Sequence, residues 1–457
     1  MSDDLFATDW LGTVPIFYNE ENNNISRNML EVIEKNKIIF DHEGLINYFD
    51  YGYSVFNQTP IKGIKYLGYS QKIKIKNNKL KVEKCIDPVE NFIDYKLNED
   101  EIFELIHTKV FEWEKSLPSN YKILLPLSGG YDSRILLNAI TNKERVYAFT
   151  YGVSTNQSKS FEVVKAKYLC DKLGVKWKEI KLGEFNKEIE FWISKYGLST
   201  HAHGMYQIEF YKRIKELYPQ EKFAVLSGIA GGALAGSLPK FKIRNIDDLN
   251  LLGLMRGHCA DSNFLIYNRK DISMESKINF FEENKFKLQD QRYQIISLLR
   301  TKMILQSYLI NIPKYLGYKS WSPFLEIDLA IAMLNVSNKR RKNRKWQLDF
   351  FVKNNLDLES RKLKFNTTNL LDYNSIKRFP LEPLESEILS EIIDVKYLNF
   401  INSNIFQNRY SDYKNNLLSL PKIGKIMKTI GLKSVFAKAY YAYLCILPFQ
   451  YVLKNFK

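Results

Sequence analysis

Residues 121 to 137 read YKILLPLSGGYDSRILL. The apolar run from Ile123 to Leu127 has the length and make-up of a buried strand, and it passes directly into Ser128, Gly129, Gly130, Tyr131, Asp132 and Ser133. From Arg134 onward the segment is apolar and compatible with a helix. A short strand that ends in two glycines and a hydroxyl-rich turn is how an α/β sheet offers backbone N–H groups to phosphate. Glycine at 129 and 130 lets the main chain approach a ligand with no Cβ in the way. Ser128 and Ser133 add hydroxyl donors, and Asp132 is of the type that holds a divalent cation across phosphate oxygens. The Gly-Lys-Ser/Thr ending of the common phosphate loop is missing.

The surroundings suit such a loop. A helical pattern, DEIFELIHTKVFEWEKSL, precedes Pro118 and the strand. Val146 to Gly152 reads as a second strand, Ser158 to Leu173 as an amphipathic helix ending at Gly174, and Lys176 to Leu182 as a third strand. Strands and helices alternating through short connections imply a parallel sheet covered on both faces.

The six-residue loop resembles the S-G-G-x-D-S loop of ATP pyrophosphatases (adenine nucleotide alpha hydrolase-like enzymes), which split ATP into AMP and pyrophosphate while activating an oxygen. The resemblance implies ATP and Mg2+ as cofactors. It would place the nucleotide on Leu127, Ser128, Gly129, Gly130, Asp132 and Ser133, with Asp132 on the metal. The family's second acidic residue corresponds to Glu162, which would assist metal or substrate; a first-turn glutamate complementing the helix dipole is the alternative.

Upstream, residues 1 to about 95 read as β-rich, with LGTVPIFYN and the alternating KIKIKNNKLKVEK as strands. Thr8 to Tyr18, TDWLGTVPIFY, is similar in spacing to the R-D-x-x-G-x-x-P-L-Y-Y segment of the glutaminase domain in asparagine synthetases. The helix EGLINYF and GYSVFNQTPIKGIKYLGYSQKI continue the likeness, with Gly68, Tyr69 and Ser70 at the family's Pro-Gly-His. This family's glutaminase uses a cysteine just after the initiator methionine. Here Ser2 stands there and the first cysteine is Cys85. The implied domain is a truncated glutaminase remnant, and glutamine hydrolysis is not expected.

Downstream, AVLSGIAGGALAGSL (Ala224 to Leu238) resembles the family's L-S-G-E-G-x-D-E-L-F-G-G. Ser227 and Gly228 match, and Gly228 is implied to pack near the adenylate. The acids of that motif fall on Ile229, Gly232 and Ala233. A metal clamp on a pyrophosphate leaving group needs oxygens from both loops, so half of the implied protein ligands are lost. YKSWSPFLEIDL resembles E-V-R-V-P-F-L-D-x-x-L through Pro323, Phe324 and Leu325, with Lys319 and Trp321 replacing a charged pair. ESRKLKF resembles R-x-K-x-x-F, whose lysine attends the phosphates; Lys362 and Lys364 both qualify. STHAHGMY carries His201 and His203, which lack the neighbouring acids or thiols of a zinc site. By resemblance they make substrate-side contacts; packing is the alternative.

Composition bounds the rest. A chain of 457 residues with 45% hydrophobic residues is a folded protein of two or three domains. The expected division is a glutaminase-like segment 1–95, an ATP pyrophosphatase domain 96–375 and a basic helical extension 376–457. Four scattered cysteines and an acidic N-terminus without signal-peptide features fit a reducing cytoplasm. The net charge of +16 suits nucleic acid, an anionic membrane or polyanionic substrates, and also follows from a Lys-, Asn- and Ile-rich composition. No nucleic-acid module is recognisable. KRRKNRK, residues 339 to 345, reads as a solvated basic surface, with phosphate or membrane contact as the alternative. Ala439 to Leu453 is apolar but broken by Pro448 and shorter than the ~20 residues of a membrane span. It suits a helix packed on the protein, or an interfacial one giving peripheral membrane contact. The expected activity is an AMP-forming amide ligase joining a small-molecule or peptide carboxylate to ammonia or a substrate amine. The alternatives are a nucleotide-binding pseudoenzyme, a tRNA-modifying pyrophosphatase and a membrane-surface scaffold.

Overall fold

The computed structural model describes residues 4–76, 79–252, 254, 258–407 and 435–456. Its strands are β1 (Asp4–Ala7), β2 (Phe17–Asn19), β3 (Ile25–Ser26), β4 (Ile64–Tyr66), β5 (Gln71–Lys76) and β6 (Lys79–Lys84). They are followed by β7 (Tyr121–Pro126), β8 (Val146–Thr150), β9 (Lys176–Glu179), β10 (Lys222–Leu226) and β11 (Lys319–Trp321). The first six form two three-stranded sheets, β1-β5-β6 and β3-β2-β4. The last five form one sheet in the order β11-β10-β7-β8-β9, parallel throughout.

That order carries the functional argument. The chain starts at β7, steps outward through β8 and β9, and then returns to the other side of β7 for β10 and β11. The direction of winding reverses between β7 and β10. In open α/β sheets ligands bind outside the carboxyl ends of the strands at such a switch point.

Alternate residues of the sheet enter two separate cores, as the period of 2 demands. Leu124, Phe149, Phe223 and Val225 face one apolar cluster. Ile123, Leu125, Ala148, Ala224 and Leu226 face the other. The first cluster also takes in Tyr48 and Phe49 from the helix His42–Tyr51 and Tyr443 and Phe449 from the helix Val435–Phe456. The second is closed by Ile102, Ile106 and Val110 of the helix Glu99–Ser116, whose start is fixed by a reciprocal capping box between Asn98 and Glu101.

Several local expectations need correction. The helix after the glycine loop begins at Tyr131 rather than Arg134, so Asp132 and Ser133 lie in its first turn. The helix expected from Ser158 begins at Phe161, after a separate short turn Gln157–Lys159, because extended Ser160 interrupts it. The third strand stops at Glu179 rather than Leu182. Pro448 does not break the C-terminal helix, which runs 22 residues from Val435 to Phe456. Phe449 packs edge-on against Tyr48 with ring centroids 5.2 Å apart, and Asn36 N–H donates to the Phe456 carbonyl over 2.7 Å. The apolar face of this helix is therefore covered by the chain itself. Among the described residues no helix is long and apolar enough to cross a membrane. The basic stretch before it, LPKIGKIMKTIGLKS, lies outside the described residues.

Candidate functional site

Two loops meet at the switch point. The first leaves β7 at Leu127, whose N–H bonds the Phe149 carbonyl at 2.9 Å and whose own carbonyl accepts from the Thr150 hydroxyl. Gly129 follows with φ +67°, and a Cβ there would run into Lys165 Cβ on the helix Phe161–Leu173. Only glycine lets the loop lie this close to that helix. Gly130 is the N-cap of the helix Tyr131–Ala139 and supplies no capping side chain. The first turn of that helix therefore presents backbone N–H groups and the positive end of its dipole at the carboxyl edge of the sheet. The serines are folded back onto the loop: Ser128 N–H lies 3.4 Å from Ser133 Oγ, and Gly130 N–H lies 3.3 Å from Ser128 Oγ. These long bonds shape the turn while leaving both hydroxyls in it.

The loop is braced from below. Arg134, wholly buried, donates to the Gly129 carbonyl at 2.8 Å and to both oxygens of Glu359 at 2.9 and 3.1 Å. Lys165 Nζ reaches the same carboxylate at 3.2 Å. Burial alone would raise the Glu359 pKa. The hydrogen bonds and charges of Arg134 and Lys165 outweigh it and take the group down to about 2. Glu359 begins a strap that ends where Asn366 pairs with Lys159 and Phe161, its N–H and carbonyl at 2.7 and 3.0 Å. Lys362 and Lys364 both ride on this strap, exposed.

The second loop leaves β10. Ser227 N–H bonds the Trp321 carbonyl at 2.8 Å, tying the loop to β11. Trp321 itself stacks on Trp113, and Lys319 lies 4.9 Å over the Tyr121 ring, so both side chains pack at the sheet edge. The two loops touch: a Cβ on Gly228 would lie 3.3 Å from Asp132 Cβ, and one on Gly231 would lie 2.9 Å from Asp132 Cγ. A Cβ at Gly232 would overlap Arg344 Nη2, the movable end of that side chain.

Arg344 is the member of the basic run 339–345 that sequence reasoning did not single out. Its Nη1 lies 3.4 Å from Asp132 Oδ1, with the guanidinium 5.3 Å from the centre of the Tyr131 ring. Burial pushes the Asp132 carboxyl up, opposed by the Arg344 charge. The stretch 339–345 is thus not merely a solvated surface. Arg341 is buried and donates to the Leu234 carbonyl at 3.0 Å, while Arg340 pairs with Glu99 at 2.7 Å. A basic run was visible in the sequence; which arginine turns inward was not.

A magnesium clamp built from carboxylates on both loops does not fit these residues. Asp132 already faces a guanidinium, and position 232 is glycine. Among the described residues no group of three or more His, Cys, Asp or Glu side chains is placed to hold a metal ion. Glu162 sits in the first turn of its helix with one carboxylate oxygen buried and unpartnered, and burial raises its pKa. Its charge is felt by Tyr151, which lies among Tyr206 and Tyr308.

His201 and His203 come together with His258, a residue more than fifty positions away, which the sequence did not link to them. His203 Nε2 lies 3.5 Å from Asp372 Oδ2 and its ring 5.6 Å from Tyr206. His201 is buried, its N–H bonded to the Gly52 carbonyl at 2.9 Å, which makes it part of the joint with the N-terminal segment.

A cavity of about 540 Å³ opens between the second loop and the helices Gln291–Gln306 and Tyr308–Tyr315. Asp132 and Gly228 stand at one side of it, Leu298, Leu299 and Leu309 form an apolar wall, and Lys302 and Gln306 add polar groups.

No family model matches the chain, and no curated protein matches it. Among solved structures, it is similar to an NH3-dependent NAD synthetase from Campylobacter jejuni, in complex with the nitrate ion. The identity is 15%, the TM-score 0.25, and the match covers 46% of this chain and 96% of that one. It is also similar to a glutamine-dependent NAD+ synthetase from Acinetobacter baumannii, in complex with adenosine diphosphate. There the identity is 15%, the TM-score 0.24, and the match covers 67% of this chain and 53% of that one.

Proposed function

We propose that the chain binds ATP on the loop Leu127–Ser133 and is an AMP-forming amide ligase of asparagine synthetase type, without a glutaminase of its own. The observation that carries the reading is the coincidence of three things at one point. The glycine loop, an uncapped helix N-terminus and the winding reversal of a parallel sheet all lie between β7 and β10. In the proposed reaction a carboxylate oxygen of the substrate attacks the α-phosphorus of ATP. The bond from that phosphorus to the bridging oxygen breaks, and pyrophosphate leaves. An amine then attacks the acyl carbon and AMP departs, its phosphate keeping the oxygen that came from the acid. The loop N–H groups and hydroxyls count most in the first step, where charge builds on the leaving pyrophosphate. The cavity beside Asp132 and Gly228 offers the acid a place next to the nucleotide, and Lys362 or Lys364 on the strap would attend the phosphates.

One observation favours a second reading, nucleotide binding without turnover: where the resemblance would put acids, the second loop has Ile229, Gly232 and Ala233. Exchange of radiolabelled pyrophosphate into ATP across a panel of carboxylates separates the two. Exchange with some acid, abolished in Asp132→Ala, is the expected result for the ligase. Tight ATP binding with no exchange on any acid gives the site to the second reading. Added glutamine is expected to release no glutamate.

A further inference from the structure

We propose that Arg344 supplies, from within the chain, the positive charge that a divalent cation held by both loops would otherwise bring to the nucleotide's phosphates. The proposal rests on the nucleotide reading above and concerns how that site meets the charge of its ligand.

The geometry is specific. Position 232 is where a side chain from the second loop would point at Asp132, since a Cβ built there lies 3.4 Å from Asp132 Oδ2. The same Cβ would overlap Arg344 Nη2, so the guanidinium fills the place of that side chain. Arg344 gets there through two consecutive residues in the left-handed region, Asn343 at φ 56° and Arg344 at φ 53°. For arginine this conformation costs free energy, and it persists where the surroundings impose it. Here the kink between the turn Lys342–Arg344 and the helix Lys345–Lys353 turns the side chain back toward the glycine loop. Trp346, just beyond, anchors that helix by donating from Nε1 to the Ala235 carbonyl at 3.0 Å. Arg341, just before, is held by the Leu234 carbonyl. Both anchors are carbonyls of the second loop's own short helix, Gly231–Ala235, so the arginine and the gap it fills are tied together.

Arg344 keeps 19% of its side chain exposed and Asp132 keeps 24%, so the pair is open toward solvent. Its separation of 3.4 Å is long for a charged hydrogen bond, and guanidinium pairs more favourably with phosphate in bidentate geometry. An arriving phosphate chain therefore meets a cation that is always charged and already in place. Asp132 holds it there until the ligand arrives.

The test is ATP binding by isothermal titration, with excess magnesium and with excess EDTA. Wild type is expected to keep its affinity in EDTA to within about threefold. Arg344→Ala is expected to lose about tenfold or more in EDTA, the scale of one charge-assisted contact to phosphate. Arg344→Lys is expected to fall between them, as a point charge without the fork. In the double variant Arg344→Ala, Gly232→Asp, binding is expected to become magnesium-dependent, because the vacated space now holds a second carboxylate. Thermal unfolding of each variant without ligand checks that the fold is retained. Wild-type affinity that collapses in EDTA, or Arg344→Ala binding as wild type there, overturns the role of Arg344 while leaving the nucleotide site standing. Absence of ATP binding by wild type in both buffers overturns the nucleotide reading, and this proposal with it.

Discussion

At the end of β7 the chain places two serines, an aspartate and an open helix N-terminus. At the end of β10 it makes a similar exit and fills it with Ile229, Ala230, Gly231, Gly232 and Ala233. Gly228 and Gly231 of the second loop pack against Asp132 of the first, so both contribute to one surface. They differ in how their chemistry is supplied. The first carries its polar groups in its own sequence and is braced from below by Arg134, Glu359 and Lys165. The second carries only the Ser227 hydroxyl, which accepts from the Ile229 N–H at 3.3 Å, and borrows a cation from residues more than a hundred positions further on. A loop without charged side chains can thus take part in a site when another segment reaches into its space.

The largest expected effect comes from breaking the brace. Glu359→Gln leaves Arg134 buried without a full counter-charge, and removing one partner of such a pair costs about 3 kcal/mol. The first loop should loosen with it, since Arg134 also holds the Gly129 carbonyl. Urea unfolding at neutral pH measures the loss. The pH dependence adds a second readout. Glu359 is depressed from an ordinary 4.5 to about 2, so its contribution is complete above the ordinary value and is lost as pH falls toward 2. Wild type should lose stability across that window, and the variant should show a shallower acid slope. Removing the charge on the second loop's side, in Arg344→Ala, should leave the contribution of Glu359 intact.

Next in size is the backbone of the first loop. Gly129→Ala puts a Cβ on a residue with positive φ and drives it into Lys165 Cβ, which belongs to a helix and cannot swing aside. Strain and overpacking together are expected to cost about 2 kcal/mol in unfolding free energy and to weaken ATP binding. A variant as stable as wild type would mean that the loop does not need its close approach to the helix Phe161–Leu173.

The contrast also explains what could be read in advance. The strand Tyr121–Pro126, the turn after it and the parallel alternation were legible because each is a local signal: an apolar run, a glycine pair, a period of 2 or 3.6. That Ile229, Gly232 and Ala233 bring no acid to the second loop was legible too. What filled the gap was not, because the inward turn of Arg344 depends on a kink at Asn343 and on anchors at Arg341 and Trp346, none of which has a spacing rule. Arg134 looked like an ordinary helix residue, and only the fold shows it buried beneath the loop. Likewise nothing in STHAHGMY announces His258 or Asp372 as neighbours. Pro448 misled for the opposite reason. A local rule for ending helices was overridden by the packing of a long apolar face against Tyr48, Phe49 and Phe40.

The smallest expected effect lies in the second loop. Ala230 adopts φ 69°, a left-handed conformation that an L side chain pays about 1 kcal/mol to hold and glycine holds freely. Ala230→Gly removes that strain but adds freedom to the unfolded chain, an opposing effect of about 0.5 kcal/mol or more. The net expectation is a gain of a few tenths of a kcal/mol, seen as a slightly higher urea midpoint with an unchanged slope. Gly129→Ala, the mirror-image change on the first loop, should move the midpoint several times as far in the other direction. If Ala230→Gly instead destabilises the protein, the Ala230 methyl is holding the second apolar cluster together. The second loop would then owe its shape to packing rather than to the turn it shares with the first.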